Sequence, residues 1–454
     1  MSTAMLALTV VVAIGALFLL IMGLKLHAFV ALLTVSLATA VAVGIPLDEI
    51  ADVVEEGMGG ILGFVAIIVG LGAMIGQVLR VTGGAERIAD VLLDAFGKKR
   101  VPWALGVTGI VVALPVFFDV GLVLLISLVY ALSQRLKMSL LVFALPLVGG
   151  LSVASSLLPP TPAPVAAAGL LDADLGWVIL FGLPASLAAV AVGGVLYGRF
   201  IGSRIEVPVP QDMAEEMRGG TGQDGDEPEQ VPSFALILTI ILTPLALIMG
   251  NTVTEALLPE DHGAVAAMAL VGHPIVAMLV ALLLAFYVLG MRHGLDRERL
   301  QSVASSALTP VGLVLLVTGG GGVFGEVLER SGLGDALEEV LQATAIPFIV
   351  LAFLAAAVMR VALGSGTVAT VTGAAIVAQV AEGQDLSAPM LAAVVAAVGA
   401  GATVLSHVND SGFWLVGKFL NMDEKQTLMT WTVMQTIMGV TAFVVVLIMS
   451  AFLT

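Results

Sequence analysis

Apolar residues run along this chain in long, nearly unbroken blocks, not at the spacing of a single helix face and not in the alternation of a strand. Runs such as 4–24, 234–250, 268–289 and 430–452 each reach the roughly 20 apolar residues that carry an α-helix across a bilayer core. A membrane barrel would instead alternate apolar and polar residues. The blocks form two series: 4–24, 27–45, 59–79, 101–133, 139–175 and 176–198, then 233–255, 267–290, 308–328, 346–383, 388–420 and 429–452. Segments 101–133 and 346–383 read as re-entrant hairpins that enter and leave on one side, and 139–175 and 388–420 as broken spans. The expected fold class is an all-α polytopic membrane protein of two inverted-topology repeats, with about ten spans plus two re-entrant hairpins and two broken helices. The first repeat is 1–198, the connecting loop 199–232 and the second repeat 233–454.

The repeat is visible in the residues themselves. Laying residue 72 on residue 321 superposes Gly72, Gly76, Val78, Leu79, Gly83, Val91 and Leu92 on Gly321, Gly325, Val327, Leu328, Gly332, Val340 and Leu341. Internal repeats of this kind are a transporter signature. Charge supplies the inversion: the loop after the first copy holds Arg80, Arg87, Lys98, Lys99 and Arg100, whereas the loop after the second sets Arg330 beside Glu329, Asp335, Glu338 and Glu339. By the excess of basic residues in cytoplasmic loops, the two lie on opposite sides of the membrane.

Composition narrows the class further. Hydrophobic residues make up 59% and charged ones 11%, against about a quarter charged in a soluble domain. The net charge of −16 comes largely from loops, above all 212–229, where seven acidic residues face Arg218 alone; that is a solvated cytoplasmic loop and no groove for nucleic acid. The chain has no cysteine, which removes disulfides, thiolate catalysis and thiolate metal sites. The first apolar run lacks a basic leader and a cleavage site, so a retained helix is expected. Nothing calls for a cofactor or a metal.

Four interruptions break the apolar blocks: 114–121 (LPVFFDVG), 158–164 (LPPTPAP), 360–370 (RVALGSGTVAT) and 404–413 (VLSHVNDSGF). In lipid, non-helical backbone survives only where protein or a water-filled cavity satisfies it, so these breaks locate the functional centre. Asp119 is the sole charge between Arg100 and Arg135, and an ionised carboxylate at mid-membrane costs about 2.5–3.5 kcal/mol on insertion scales. It is therefore a candidate coupling-ion residue, or alternatively half of a structural ion pair or a helix cap. Arg360 suits a substrate carboxylate bidentately; equally it could neutralise Asp119 or Asp410, or snorkel to the surface. His407, Asn409, Asp410 and Ser411 combine donors, acceptors and two titratable groups, which suits hydroxylated anions and proton transfer alike. Asp410 is the second coupling-ion candidate, and the others are candidate substrate ligands. Ser365, Gly366, Thr367 and Thr370 place small hydroxyls and a glycine at a hairpin tip; they suit close approach to a substrate or ion and could equally ligate sodium. GGGG at 319–322 lacks the lysine of a phosphate loop and reads as close helix packing. His27, His262 and His273 lie near span ends.

These residues carry a resemblance. FFDVG at 117–121, the LPP.P.P break at 158–164 and SHVNDSGFW at 406–414 look like the gluconate permease family of the ion-transporter superfamily, and GGAERIA at 83–89, FGKKR at 96–100 and R.A.GS.TVA at 360–369 extend the match across the whole chain. The resemblance implies a cell (inner) membrane importer of sugar acids such as gluconate, driven by protons. It also implies partners that are a small organic anion, a coupling cation and the lipid bilayer, with homodimerisation expected by analogy to related carriers. This chain has Ser155 and Thr161 where family members usually carry histidines, and Ala163 where they carry Gly or Ser. Thr161 joins the expected substrate ligands as a short hydroxyl at the second interruption.

Two other classes compete with a carrier. A channel would need a continuous polar lining, whereas the polar residues cluster at four points. A Ser-His-Asp hydrolase would need partners held apart in sequence and a nucleophile elbow, and 406–411 offers neither. An enzyme is not expected.

Overall fold

The computed structural model describes residues 3–96, 100–210, 232–259, 262–331, 347–381, 384, 386–407 and 410–453. Among these every regular element is a helix. The acidic stretch 212–229 and most of the loop at 329–345 lie outside the described residues, as do Asn409, Lys98 and Lys99.

In chain order the helices are α1 (Thr3–Phe18), α2 (Ala28–Val43), α3 (Ile50–Val81), α4 (Gly84–Phe96), α5 (Val101–Ala113), α6 (Phe118–Leu136), α7 (Leu141–Leu157), α8 (Pro162–Leu170) and α9 (Leu175–Ala189). The second half continues with α10 (Phe234–Leu257), α11 (Gly263–Val271), α12 (Pro274–Leu284), α13 (Arg297–Arg330), α14 (Phe348–Leu363), α15 (Gly366–Ala381), α16 (Ala388–Gly401), α17 (Ser411–Phe419) and α18 (Val433–Ser450). Wider π-helical turns extend α1, α9 and α12 at Leu19–Gly23, Val190–Leu196 and Ala285–Gly290, and Leu428–Thr432 leads into α18.

Six described stretches are long and apolar enough to cross a bilayer: Ile50–Val81, Leu141–Leu170, Leu175–Gly202, Phe234–Glu255, Pro274–His293 and Glu424–Ser450; the bent stretch from Phe118 to Leu136 makes a seventh. The count of ten is not reached on that criterion. Several of the expected segments are instead apolar helices of 13 to 16 residues, namely α2, α5, α14, α15 and α16. The span expected at 267–290 is divided at Gly272 and His273, between α11 and α12. There a glycine followed by His-Pro ends one helix and starts the next.

α3 and α13 form the long axis of the molecule. They run antiparallel, with Gly57 against Glu326 and Gly322 at one end and Gln77 Nε2 donating to Ser306 Oγ at 3.0 Å at the other. These two contacts are one contact seen twice, because the register that lays residue 72 on residue 321 also lays Gly57 on Ser306 and Gln77 on Glu326. The glycines at 319 and 322 pack against Met58, Leu62, Gly57 and Ile61, so this run is a helix seam, as expected. Arg330 closes one end through ion pairs to Glu56 and to Glu326 (2.8 Å).

Around this axis stands a second, more buried group. α7 is buried on every residue from Leu141 to Gly150, and α16 from Ala392 to Gly401. A helix that is apolar on all sides belongs inside a bundle, and these two do. α5 lies along α7, with Gly106 and Gly109 meeting the carbonyl-bearing backbone of Pro146, Leu147 and Gly150. α14 lies along α16 and α15 in the same way. The expected hairpins are thus α5–α6 and α14–α15, and the expected broken spans are α7–α8 and α16–α17.

Candidate functional site

The four interruptions meet. Residues from all of them line one cavity of about 290 Å³, near the lower size of small-molecule sites. Each interruption is also where a helix begins, so α6, α8, α15 and α17 present their N-termini to this space through Phe118 and Asp119, Pro162 and Ala163, Gly366 and Thr367, and Ser411 and Gly412. A helix start carries about half a positive charge on unsatisfied amides. At α8 and α15 no acidic residue stands in the first turn, so those starts offer an anion their amides without lysines, whereas α6 and α17 carry Asp119 and Asp410 at theirs.

The local sequence explains each start. Phe117 precedes α6 in an extended conformation and contributes no side-chain cap. Asp119, expected as a possible cap, instead sits inside the first turn, with its side chain open to the cavity. It makes no side-chain hydrogen bond or ion pair with another described residue. The second hairpin turns at Gly364, whose φ of 80° is the left-handed region that only glycine enters cheaply. Ser365 then accepts from Val368 N at 3.4 Å to start α15.

At the two broken spans the cap residues differ. Thr161 starts α8, and its hydroxyl turns backward to the carbonyls that end α7, closest to Leu158 O at 2.6 Å and to Ser155 O at 3.1 Å. Asp410 starts α17 as a true cap, with Oδ1 accepting from Gly412 N at 3.1 Å. Its other oxygen accepts from Arg360 Nη2 at 2.5 Å and from the Ser406 hydroxyl. Arg360 is 5% exposed and Asp410 7%, so this is a buried, hydrogen-bonded ion pair. Arg360 also donates through Nη1 to Gly364 O, while its Nε has no partner among the described residues. Of the roles left open for Arg360, the geometry gives it Asp410 as partner and the cavity as outlook, since Arg360 lines it.

The cavity thus brings together Asp119, Thr161, Arg360, Ser365, Gly366, Thr367, Asp410 and Ser411. It does not bring in His407, whose Nε2 faces Val361 O at 3.0 Å outside the lining. Asn409 lies outside the described residues. Asp410, expected as a second coupling-ion residue, has both oxygens engaged. Sequence reasoning missed Ser152 and Ser156, which join Ser155 on the cavity face of α7, and Thr403 and Trp431. The serines were legible as SVASS in an otherwise apolar helix, where spacing of three and four shares a face. Ser152 is fixed by Gln435, whose Nε2 donates to its hydroxyl at 2.9 Å.

The chain matches the family model described as GntP family permease over residues 5–452. It is 40% identical over 445 residues to the low-affinity gluconate transporter of Escherichia coli K12, covering 98% of each. It is 38% identical to the gluconate permease of Pseudomonas aeruginosa, again covering 98% of each, and 39% identical to the inner membrane permease YgbN of E. coli, covering 94% of this chain and 95% of that one. Among solved structures, the Alcanivorax borkumensis YdaH transporter aligns with a TM-score of 0.66 at 16% identity, covering 94% of this chain and 99% of that chain. At that identity the likeness is one of fold.

Proposed function

Because the chain belongs to the GntP family of permeases, and is therefore a multi-pass membrane transport protein and not an enzyme, we propose that it is a secondary transporter importing gluconate or a closely related sugar acid together with a cation. The observation that carries this reading is the convergence of four helix N-termini, eight short hydroxyl side chains (Ser155, Thr161, Ser365, Thr367 and Ser411 with Ser152, Ser156 and Thr403) and Arg360 on one cavity. The amides and the guanidinium suit a carboxylate; the hydroxyls suit a polyol chain, because each oxygen can accept from a substrate hydroxyl even where, as at Ser155 and Thr161, its own proton is held by a backbone carbonyl. The names of the relatives support the same substrate class.

Coupling is assigned to Asp119. Asp410 is already neutralised by Arg360, whereas Asp119 faces the cavity with no described partner, so a proton taken up there with the substrate removes a charge that would otherwise oppose the anion. In this reading the halves 1–198 and 233–454, joined by 199–232, expose the cavity to the two sides in turn. Vesicles preloaded with unlabelled gluconate should take up labelled gluconate by counterflow, and an inward proton gradient should drive accumulation. Absence of counterflow would sink the carrier reading; accumulation that follows a sodium gradient and ignores pH would replace the proton with sodium.

A further inference from the structure

We propose that Trp431 is a positioning residue that ties the two halves of the cavity together and sets its affinity for substrate, an inference that rests on the sugar-acid reading above. Trp431 is 2% exposed and sits on the π-helical turn Leu428–Thr432, a widened turn of the kind that re-aims side chains at functional sites. Its two ends do different work. The indole Nε1–H donates to Ser406 Oγ at 2.7 Å; Ser406 in turn donates to the Asp410 oxygen that holds Arg360. The ring packs on Phe118, with centroids 5.7 Å apart and planes tilted by 46°, and Phe118 is the residue next to Asp119 at the start of α6. The neighbouring Thr432 hydroxyl donates to Ser406 O at 2.5 Å, which fixes the break between α16 and α17 from the other side.

The repeat supplies a control for this assignment. The register that lays Thr161 on Asp410 lays Gly182 on Trp431 and Leu157 on Ser406. In the first half the same two positions meet through backbone, with Gly182 close against the Leu157 carbonyl, and no side chain is needed to bring them together. The span packs with a glycine at this place, so the indole in the second half serves the polar chain from Ser406 to Arg360 and the contact with Phe118. In a network of this kind the groups act as a unit, and deletions within it do not add.

The test is a double-mutant cycle. Trp431→Phe keeps a ring against Phe118 and loses the N–H; Ser406→Ala removes the acceptor. For gluconate uptake, each single variant should raise KM about threefold to tenfold, as for one lost hydrogen bond, with Vmax within about twofold. The double variant should be no worse than the poorer single one. Effects on KM that multiply, or a fall in Vmax and membrane level with KM unchanged, overturn the proposal and leave Trp431 a packing residue. Hydrogen exchange of the 402–412 peptide, measured without substrate, reads the same cycle: it should quicken in Trp431→Phe and no further in the double variant. If the parent takes up no gluconate, the sugar-acid reading fails, while unchanged exchange in Trp431→Phe separately overturns the role given to Trp431.

Discussion

The two halves of the molecule put different chemistry at corresponding places. Where the second half has Arg360 in the first arm of its hairpin, the same register gives the first half Val111. Asp410 at the broken span answers to Thr161, and Asp119 answers to Val368. One half therefore presents to the cavity a carboxylate with no described partner, and the other an arginine and a carboxylate already joined. The backbone device, one hairpin tip and one broken span per half with a helix start at each interruption, is common to both. In the reading proposed above, one cavity handles an anion and a cation; the repeat alone would give two equal half-sites, and the side chains differentiate them. On that reading the first half is left able to exchange charge, while the second holds its charges in the Arg360–Asp410 pair.

The largest effects should follow from splitting the fixed pair. Removing one partner of a buried ion pair costs about 3–5 kcal/mol, because it strands the other charge. Asp410→Ala and Arg360→Ala should each lower the thermal unfolding temperature of the purified protein and abolish uptake. Replacing both at once, as Arg360→Met with Asp410→Leu, should recover most of the stability and none of the transport. A double variant as unstable as the singles would show that the pair is not the unit we take it for.

Asp119→Asn should do the reverse. The side chain has no described partner to lose, so stability should change by less than about 0.5 kcal/mol, while accumulation against a gradient disappears and counterflow persists. Uptake in the variant that still concentrates substrate would return Asp119 to a structural role.

A third comparison concerns how each half seats its hairpin on the long axis. Gly76 and Gly325 are equivalent in the repeat. A Cβ at Gly76 would fall on the carbonyl oxygen of Pro115 at the first hairpin tip, whereas at Gly325 the nearest atom is Ala375 Cβ at an ordinary 3.5 Å. Gly76→Ala should therefore cost about 1–3 kcal/mol by overpacking and slow transport. Gly325→Ala should be neutral or gain up to about 1 kcal/mol of helix preference. Equal melting shifts would mean that the first tip yields as readily as the second.

How much of this was readable in the sequence follows from cost. Proline, glycine and polar residues within apolar spans are expensive in lipid, so the interruptions at 114–121, 158–164, 360–370 and 404–413 mark in the sequence the places that meet at the cavity. The ends of pairs were not readable. Arg360 had Asp119 and Asp410 as possible partners, 241 and 50 positions away by subtraction of their numbers, and only the packing of α14 on α16 selects the nearer one. His407 falls outside the lining because side-chain direction on an unwound strand follows no period. Trp431 gave no signal at all, since a π-helical turn has no residue signature and an aromatic residue in a span is usually lipid-facing or core.

The smallest effect expected is also the most specific. The Thr161 hydroxyl has a single proton, and that proton is committed to the carbonyls at the end of α7, closest to Leu158 O at 2.6 Å. Its lone pairs remain, so toward the cavity Thr161 can only accept, and what it can accept from is a substrate hydroxyl and not a carboxylate. Thr161→Ser keeps that acceptor and should leave the apparent affinity for gluconate within about twofold. Thr161→Val keeps the shape and loses the oxygen, at about 0.5–1.5 kcal/mol, or roughly a threefold to tenfold rise in KM. A deoxy analogue that lacks the hydroxyl in question should be bound equally by the parent and by Thr161→Val. If valine weakens every sugar acid alike, deoxy analogues included, Thr161 acts on the fold of the broken span and reads no hydroxyl.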